Sequence, residues 1–234
     1  LMASRALARV ANGPDDYLKV YAKVLGACDH PVVLHWLGPM FDPQLAGYWG
    51  SDSFEDCLAN CLAMIEANQS KVDGIKISLL DKDKEIIMRR RLPDGVKMYT
   101  GDDFNYPELI EGDVEGFSHA LLGIFDPLAP AAAYAISKLS LGDTATFRAT
   151  LDPTVPLARQ IFRAPTQHYK TGVVFLAWLN GFQEHFVMLN GAQAARPLPD
   201  FITIFKQADE CGLLRDPEMA VSRMKRFLAL YGVA

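Results

Sequence analysis

A lysine sits inside an apolar run that otherwise reads as a buried strand, Val72-Asp-Gly-Ile-Lys-Ile-Ser-Leu-Leu-Asp81. Burying an ammonium is costly unless it is paired or gives up its proton. Desolvation therefore lowers the pKa of Lys76 and makes a neutral amine available as a nucleophile toward a carbonyl carbon. The alternative is a structural ion pair, with Asp73 or Asp102 as the acid. Further along, a second short apolar run ends in Tyr99-Thr-Gly-Asp-Asp103, which reads as another strand entering a polar loop. Two strand ends carrying reactive groups suggest one shared site. Asp102 and Asp103 are also suited to cap the next helix, since an acid at a helix start satisfies orphan amides.

These residues need a scaffold, and the hydrophobic periodicity supplies one. From Pro14 the apolar positions Tyr17, Leu18, Tyr21, Val24 and Leu25 have helical spacing, with Asp15 and Asp16 in the first turn and Gly26 at the end. Pro31 to Trp36 reads as a buried strand closed by Gly38-Pro39, and Ser53 starts a helix running to about Gln69. A strand over Asp73–Ile77, a helix from Lys82 to Leu92 and a strand over Val96–Thr100 follow. Tyr106–Glu111, a strand over Gly116–Leu122 and a helix over Pro127–Leu139 continue the series. With Leu1-Met-Ala3 read as the tail of an earlier strand, alternation with short connections implies an α/β fold with a parallel sheet covered by helices. After Gly142 only helical spacing remains, over 143–163, 168–190, 199–211 and 217–231. The expected division is 1–141 for the β/α portion and 142–234 for a helical region.

The chain has 234 residues, half of them hydrophobic, which is enough for a substantial core. With 23 basic against 28 acidic residues its formal charge is -5, and no basic stripe with interleaved aromatics appears, so nucleic acid is not an expected partner. Arg89-Arg-Arg91 is expected as a solvated helix end. No apolar run approaches the roughly 18 to 20 residues of a membrane span, since Asp126, Pro127 and Pro130 break the best candidate. Cys28, Cys57, Cys61 and Cys211 lack CxxC spacing and nothing at the N-terminus resembles a signal peptide, so reduced thiols in a cytoplasmic protein are expected. Cys57 and Cys61 share a helix face, where burial in the core is favoured over a metal pair.

The strand-end residues resemble the dihydrodipicolinate synthase and N-acetylneuraminate lyase superfamily, class I aldolase-type (β/α)8 barrels with an appended helical bundle. More narrowly, LHWLGP, DGIKISLLD and YTGDDF resemble its uncharacterised branch DUF993. The resemblance implies part of a TIM barrel, about strands 4–8, followed by a C-terminal helical bundle. In the superfamily a G-I-K segment on the sixth strand carries a Schiff-base lysine, and Gly74-Ile75-Lys76 matches it, which makes Lys76 the expected catalytic residue. Pro31-Val-Val-Leu-His-Trp-Leu-Gly-Pro39 places His35 where the superfamily has a proton-relaying tyrosine on the fifth strand. Its second proline comes one position late. A histidine there could act as general acid or base or be a satisfied core residue. Gly101-Asp102-Asp103 matches the seventh-strand G-D-D, so Tyr99, Thr100, Gly101 and Asp102 are expected to line the substrate pocket. His119, on the next strand, joins them if its phase is right.

The implied activity is a Schiff-base lyase or aldolase acting on a small 2-keto acid or sugar-derived keto compound, without metal or other cofactor. Nothing matches the superfamily's G-x-x-G-E segment or its earlier strands. The chain is therefore expected to be the C-terminal portion of a longer barrel, completed by a homo-oligomer or by a chain supplying the missing strands. Two other readings stand beside this one. One is a metal-dependent barrel isomerase or aldolase using His35, His119 and Asp73 or Asp102, and the other is a non-catalytic fragment serving assembly. The insertion from Met40 to Ser53, with Phe41, Tyr48 and Trp49, is expected to help cover the site.

Overall fold

A computed structural model describes residues 1–233, and its contacts gather into two compact units, Leu1–Leu122 and Gly123–Ala234. The first contains α1 (Arg5–Val10), α2 (Pro14–Gly26), β1 (Val32–Leu37), α3 (Phe54–Ala67), β2 (Val72–Ser78), α4 (Lys82–Arg91), β3 (Lys97–Thr100), α5 (Tyr106–Glu111) and β4 (His119–Ala120). The helix starts follow from the sequence. Pro14 opens α2 with Asp15 and Asp16 in its first turn. The Ser53 and Asp81 side chains accept backbone amides at the starts of α3 and α4.

The four strands form one parallel sheet in the order β1-β2-β3-β4, so each strand is followed in space by the next and every crossover carries a helix. Leu34, Trp36, Ile75, Ile77 and Met98 project from one face into a single cluster with Tyr17, Tyr21 and Leu25 of α2 and Leu58, Cys61 and Ile65 of α3. The other face carries the polar residues. A register shift at Val32/Val33 adds one residue to β2 and lets Asp73 reach that polar face.

Several expectations are corrected. Leu1–Ser4 form no strand, although the Leu1 amine donates to the Val33 carbonyl at 2.6 Å. The strand expected over Gly116–Leu122 shrinks to His119–Ala120. Gly116 instead bridges back to Asp113, and the Ser118 amide bonds to the Leu109 carbonyl at 2.9 Å. The arginine run ends α4 with Arg90 and Arg91 exposed, as expected of a solvated helix end, and only Arg89 departs by turning inward. Arg89 and Arg90 both reach Asp113, at 2.8 and 3.2 Å, Arg91 reaches Glu55 at 3.2 Å, and the Arg89 side chain is only 7% exposed. Cys57 and Cys61 lie buried in the core.

The second unit contains α6 (Phe125–Ser140), α7 (Thr144–Leu151), α8 (Val155–Ile161), α9 (Tyr169–Leu179), α10 (Leu198–Glu210) and α11 (Pro217–Ala229). By contacts α6 belongs with the helices after it, whereas the division expected at 141/142 follows the strand and helix alternation. The helix expected over 143–163 is split by a 3-10 turn at Asp152–Thr154, which contains Pro153. The one expected over 168–190 stops at Leu179. Gly181, at φ 78, closes it with the Phe182 amide bonded to the Ala177 carbonyl at 2.9 Å. Among the described residues no helix is long and apolar enough to cross a membrane.

Candidate functional site

Parallel register aligns side chains on one face, and here it aligns the reactive ones. His35 pairs with Lys76, Lys76 with Tyr99, and Tyr99 with His119, so one residue from each of the four strands forms a row across the sheet. All four are half-buried, while their neighbours Leu34, Ile75, Ile77 and Met98 are buried on the opposite face. Four of the expected site residues thus come together by strand register alone.

Lys76 runs along the row toward β3. A methyl group placed on Gly101 would stand 2.7 Å from the Lys76 Cε and would overlap the Ser78 hydroxyl. Glycine at 101 is therefore what lets the backbone after β3 close over this lysine stem. Gly101 is fixed there by its amide, which donates to the Ile77 carbonyl at 2.8 Å.

Ser78, two residues beyond Lys76 on the same face, was not singled out by the sequence reading. Its period-two spacing from the lysine was the available signal. Its Oγ lies 2.9 Å from the His35 Nε2, and the His35 Nδ1 lies 3.4 Å from the Met2 sulfur. Burial, reinforced by the nearby Lys76 ammonium, pushes the His35 pKa down to about 3. The imidazole is accordingly neutral near pH 7 and acts through its hydrogen bond to Ser78.

Asp73 and Asp102, the acids named as partners for Lys76, each accept further donors. Asp73 accepts the Lys97 ammonium at 2.8 Å and the Tyr99 phenol at 2.7 Å. Those bonds hold the Asp73 carboxyl below its usual range, and the same bond raises the Tyr99 phenol. Asp102 is buried and accepts from the Phe104 amide at 2.7 Å, the Asn105 amide at 3.0 Å and the Asn105 Nδ2 at 2.8 Å. It organises the turn into α5. Asp103 is also buried.

Thr100, expected in the pocket, points the other way. It is fully buried, with its hydroxyl donating to the Glu85 Oε2 at 3.0 Å and accepting from the Asp102 amide at 3.1 Å. Phase explains this, because Thr100 is one residue on from Tyr99 and so faces the helix layer. Glu85, on α4, is a second residue the sequence reading did not single out. Burial raises its pKa to about 7 against the lowering effect of its hydrogen bonds.

His119 stands beside Tyr99, with ring centroids 5.3 Å apart. The 40–53 insertion divides: Met40 packs at Gly38 near the end of β2, while Tyr48 and Trp49 are buried against Tyr17, Tyr21 and Trp36. Those two rings belong to the helix-facing core and do not cover the row. Among the described residues no three His, Cys, Asp or Glu side chains are gathered to hold a metal ion.

The fold has a counterpart of known structure. A crystal structure of a Pseudomonas aeruginosa protein, provisionally named a dihydrodipicolinate synthetase, superposes with a TM-score of 0.63 at 20% sequence identity. The superposition covers 85% of this chain but 62% of that one, so the chain spans about three fifths of the neighbour's length. The likeness establishes an α/β fold with a parallel sheet and helices, similar to that barrel. A search of curated proteins returned no match. The model of one family, described as "Protein of unknown function (DUF993)", matches residues 1–233, and the chain belongs to that family.

Proposed function

We propose that this chain carries the lysine of a class I aldolase-like lyase acting on a small 2-keto acid or sugar-derived keto compound. The observation that carries the reading is the position of Lys76. It stands in a four-strand row of polar side chains, packed under Gly101 and next to the Ser78–His35 pair. In the proposed reaction the neutral Lys76 amine attacks the substrate carbonyl carbon, forming a C–N bond while the carbonyl oxygen takes a proton. The carbinolamine hydroxyl then leaves as water, and the resulting iminium draws electrons from the adjacent carbon–carbon bond. Ser78 and His35 can hold the amine proton in transit. Burial is the main cause of the low His35 pKa and the Lys76 ammonium adds to it, so a neutral Lys76 removes only the smaller part and leaves His35 a neutral hydrogen-bonding partner. Tyr99, Gly101 and His119 would contact the substrate beside Lys76.

On this reading β1–β4 correspond to the fifth to eighth strands of a (β/α)8 barrel. The remaining strands would come from another segment or a partner copy, consistent with the share of the neighbour that the chain spans. The test is borohydride reduction with a panel of 2-keto acids and keto sugars, read by intact mass and peptide mapping. The expected result is a reduced adduct on Lys76 that disappears in Lys76→Ala. Failure of every compound to add mass, or an adduct persisting in that variant, would overturn the reading.

A further inference from the structure

The second unit holds a cavity of about 610 Å³, lined by Trp178, Phe186, Phe227, Tyr231 and Arg226, with Glu184 the one carboxylate among its lining residues. That volume lies in the range of roughly 300 to 1,000 Å³ typical of small-molecule sites. Every residue lining it comes from the end of α9, the segment after it, or the end of α11 and the two residues that follow it.

Its aromatic wall is continuous. Trp178 and Phe186 stack with centroids 6.0 Å apart and planes at 24°. Phe227 meets Phe186 edge-on at 5.8 Å, and Tyr231 meets Phe227 at 5.3 Å. The segment that carries Phe186 is built rather than loose. The Met188 amide donates to the Gln193 Oε1 at 3.0 Å, and the Gln183 side chain donates to the His185 carbonyl at 2.6 Å. Arg223 donates to the Trp178 carbonyl, and also to the Gln183 carbonyl at 3.1 Å. These bonds hold the ring-bearing segment on the end of α11.

Arg226 lies one turn on from Arg223 and is spent differently. Arg223 is committed to backbone carbonyls, whereas Arg226 is exposed on the cavity rim and makes no ion pair with any described carboxylate. A guanidinium on the wall of an aromatic cavity matches a carboxylate carried on a flat apolar body, because its fork binds both oxygens while the rings cover the rest. Among the lining residues, Leu230 is 82% exposed and Tyr231 is also exposed, an apolar edge that a ligand would cover.

We propose that this cavity binds an aromatic carboxylate, with Arg226 holding the acid and Trp178, Phe186 and Phe227 holding the ring. The site is separate from Lys76 and stands or falls apart from the Schiff-base reading. The experiment is calorimetric titration of the intact chain with three probes sharing one ring: indole-3-acetate, indole and tryptamine. None has a ketone for Lys76 to attack. Indole-3-acetate is expected to bind about tenfold more tightly than tryptamine, as a charge-assisted pair at a partly desolvated rim implies. Arg226→Glu, a change at an exposed position, is expected to reverse that order, and Arg226→Lys to retain it in weakened form. Absence of binding by all three probes, or equal affinities that Arg226→Glu leaves unchanged, would overturn the proposal. So would sedimentation showing a dimer that Arg226→Glu and Leu230→Asp both dissociate, since a second copy would then fill the cavity.

Discussion

On β2, Ile75 and Ile77 are buried against helices α2 and α3, while Lys76 and Ser78 alternate with them and face the other way. On β3, Met98 and Thr100 are buried, while Lys97 and Tyr99 face the row and join Asp73 there. One face of the sheet is spent on stability. The other concentrates ionisable and hydrogen-bonding groups with little apolar burial to lose. Neighbouring residues on a single strand should therefore fail in opposite ways when changed, and that is how the division between the faces can be tested.

The largest effect expected is at Lys76. If it is the nucleophile, Lys76→Ala should cut substrate trapping and turnover by at least about a thousandfold. Its unfolding midpoint should barely move, since the half-buried stem contributes little to the core. Ile75→Ala, one residue away, should do the reverse. A fully buried isoleucine replaced by alanine costs about 2 to 5 kcal/mol, readable as a lower urea midpoint, while trapping by the remaining folded protein persists. If Lys76→Ala proves as destabilising as Ile75→Ala, the lysine belongs to the scaffold and the comparison collapses.

A further contrast is in pH. Glu85 lies behind the sheet with its folded pKa raised from 4.5 to about 7, so the folded state binds more protons than the unfolded one across that interval. The stability this confers is full below pH 4.5 and lost as pH rises through about 7, on the order of 3 kcal/mol for the shift. His35, on the row face, is lowered from 6.5 to about 3. Here the unfolded state binds the extra proton, so stability is present above pH 6.5 and lost as pH falls toward 3. Between pH 4.5 and 6.5 the two oppose each other. Urea midpoints at pH 5 and 7 should then rise with pH in Glu85→Gln, which unmasks His35, and fall with pH in His35→Gln, which unmasks Glu85. Identical slopes in both variants would contradict these two environments.

The alternation of strands and helices was legible because each strand reads as a short apolar run between turn residues. Lys76 was legible because a charge interrupts one of those runs. What misled was phase and local closure. Thr100 and Tyr99 adjoin in sequence, yet the pleat sends them to opposite faces. Asp102 also accepts three donors from its own turn, a structural duty that the G-D-D spelling alone does not reveal. Tyr48 and Trp49 sit in an insertion whose path nothing local dictates, and their large rings settled into the aromatic core around Tyr17 and Trp36. Ser78 had a local signal in its period-two spacing from Lys76, but its contact with His35, like that of Glu85 with Thr100, joins residues apart in the chain and no local pattern encodes it.

The smallest effect expected distinguishes two glycines on the row face. A Cβ on Gly101 would press on the Lys76 Cε and the Ser78 hydroxyl, and one on Gly74 would stand 2.6 Å from the Tyr99 ring and overlap the Lys97 carbonyl. Either alanine should cost about 1 to 3 kcal/mol by overpacking, so their unfolding midpoints should fall by similar amounts. Their chemistry should differ. Gly101→Ala displaces the lysine stem and the serine beside it, which lowers the rate of borohydride trapping at Lys76 even in fully folded protein. Gly74→Ala presses on Tyr99, the neighbour of Lys76 in the row, rather than on the lysine stem itself, and should lower that rate by less. Trapping rates that fall equally in the two variants would mean the row works as one coupled array, with Lys76 sensitive to any shift along it rather than to the backbone that closes over it.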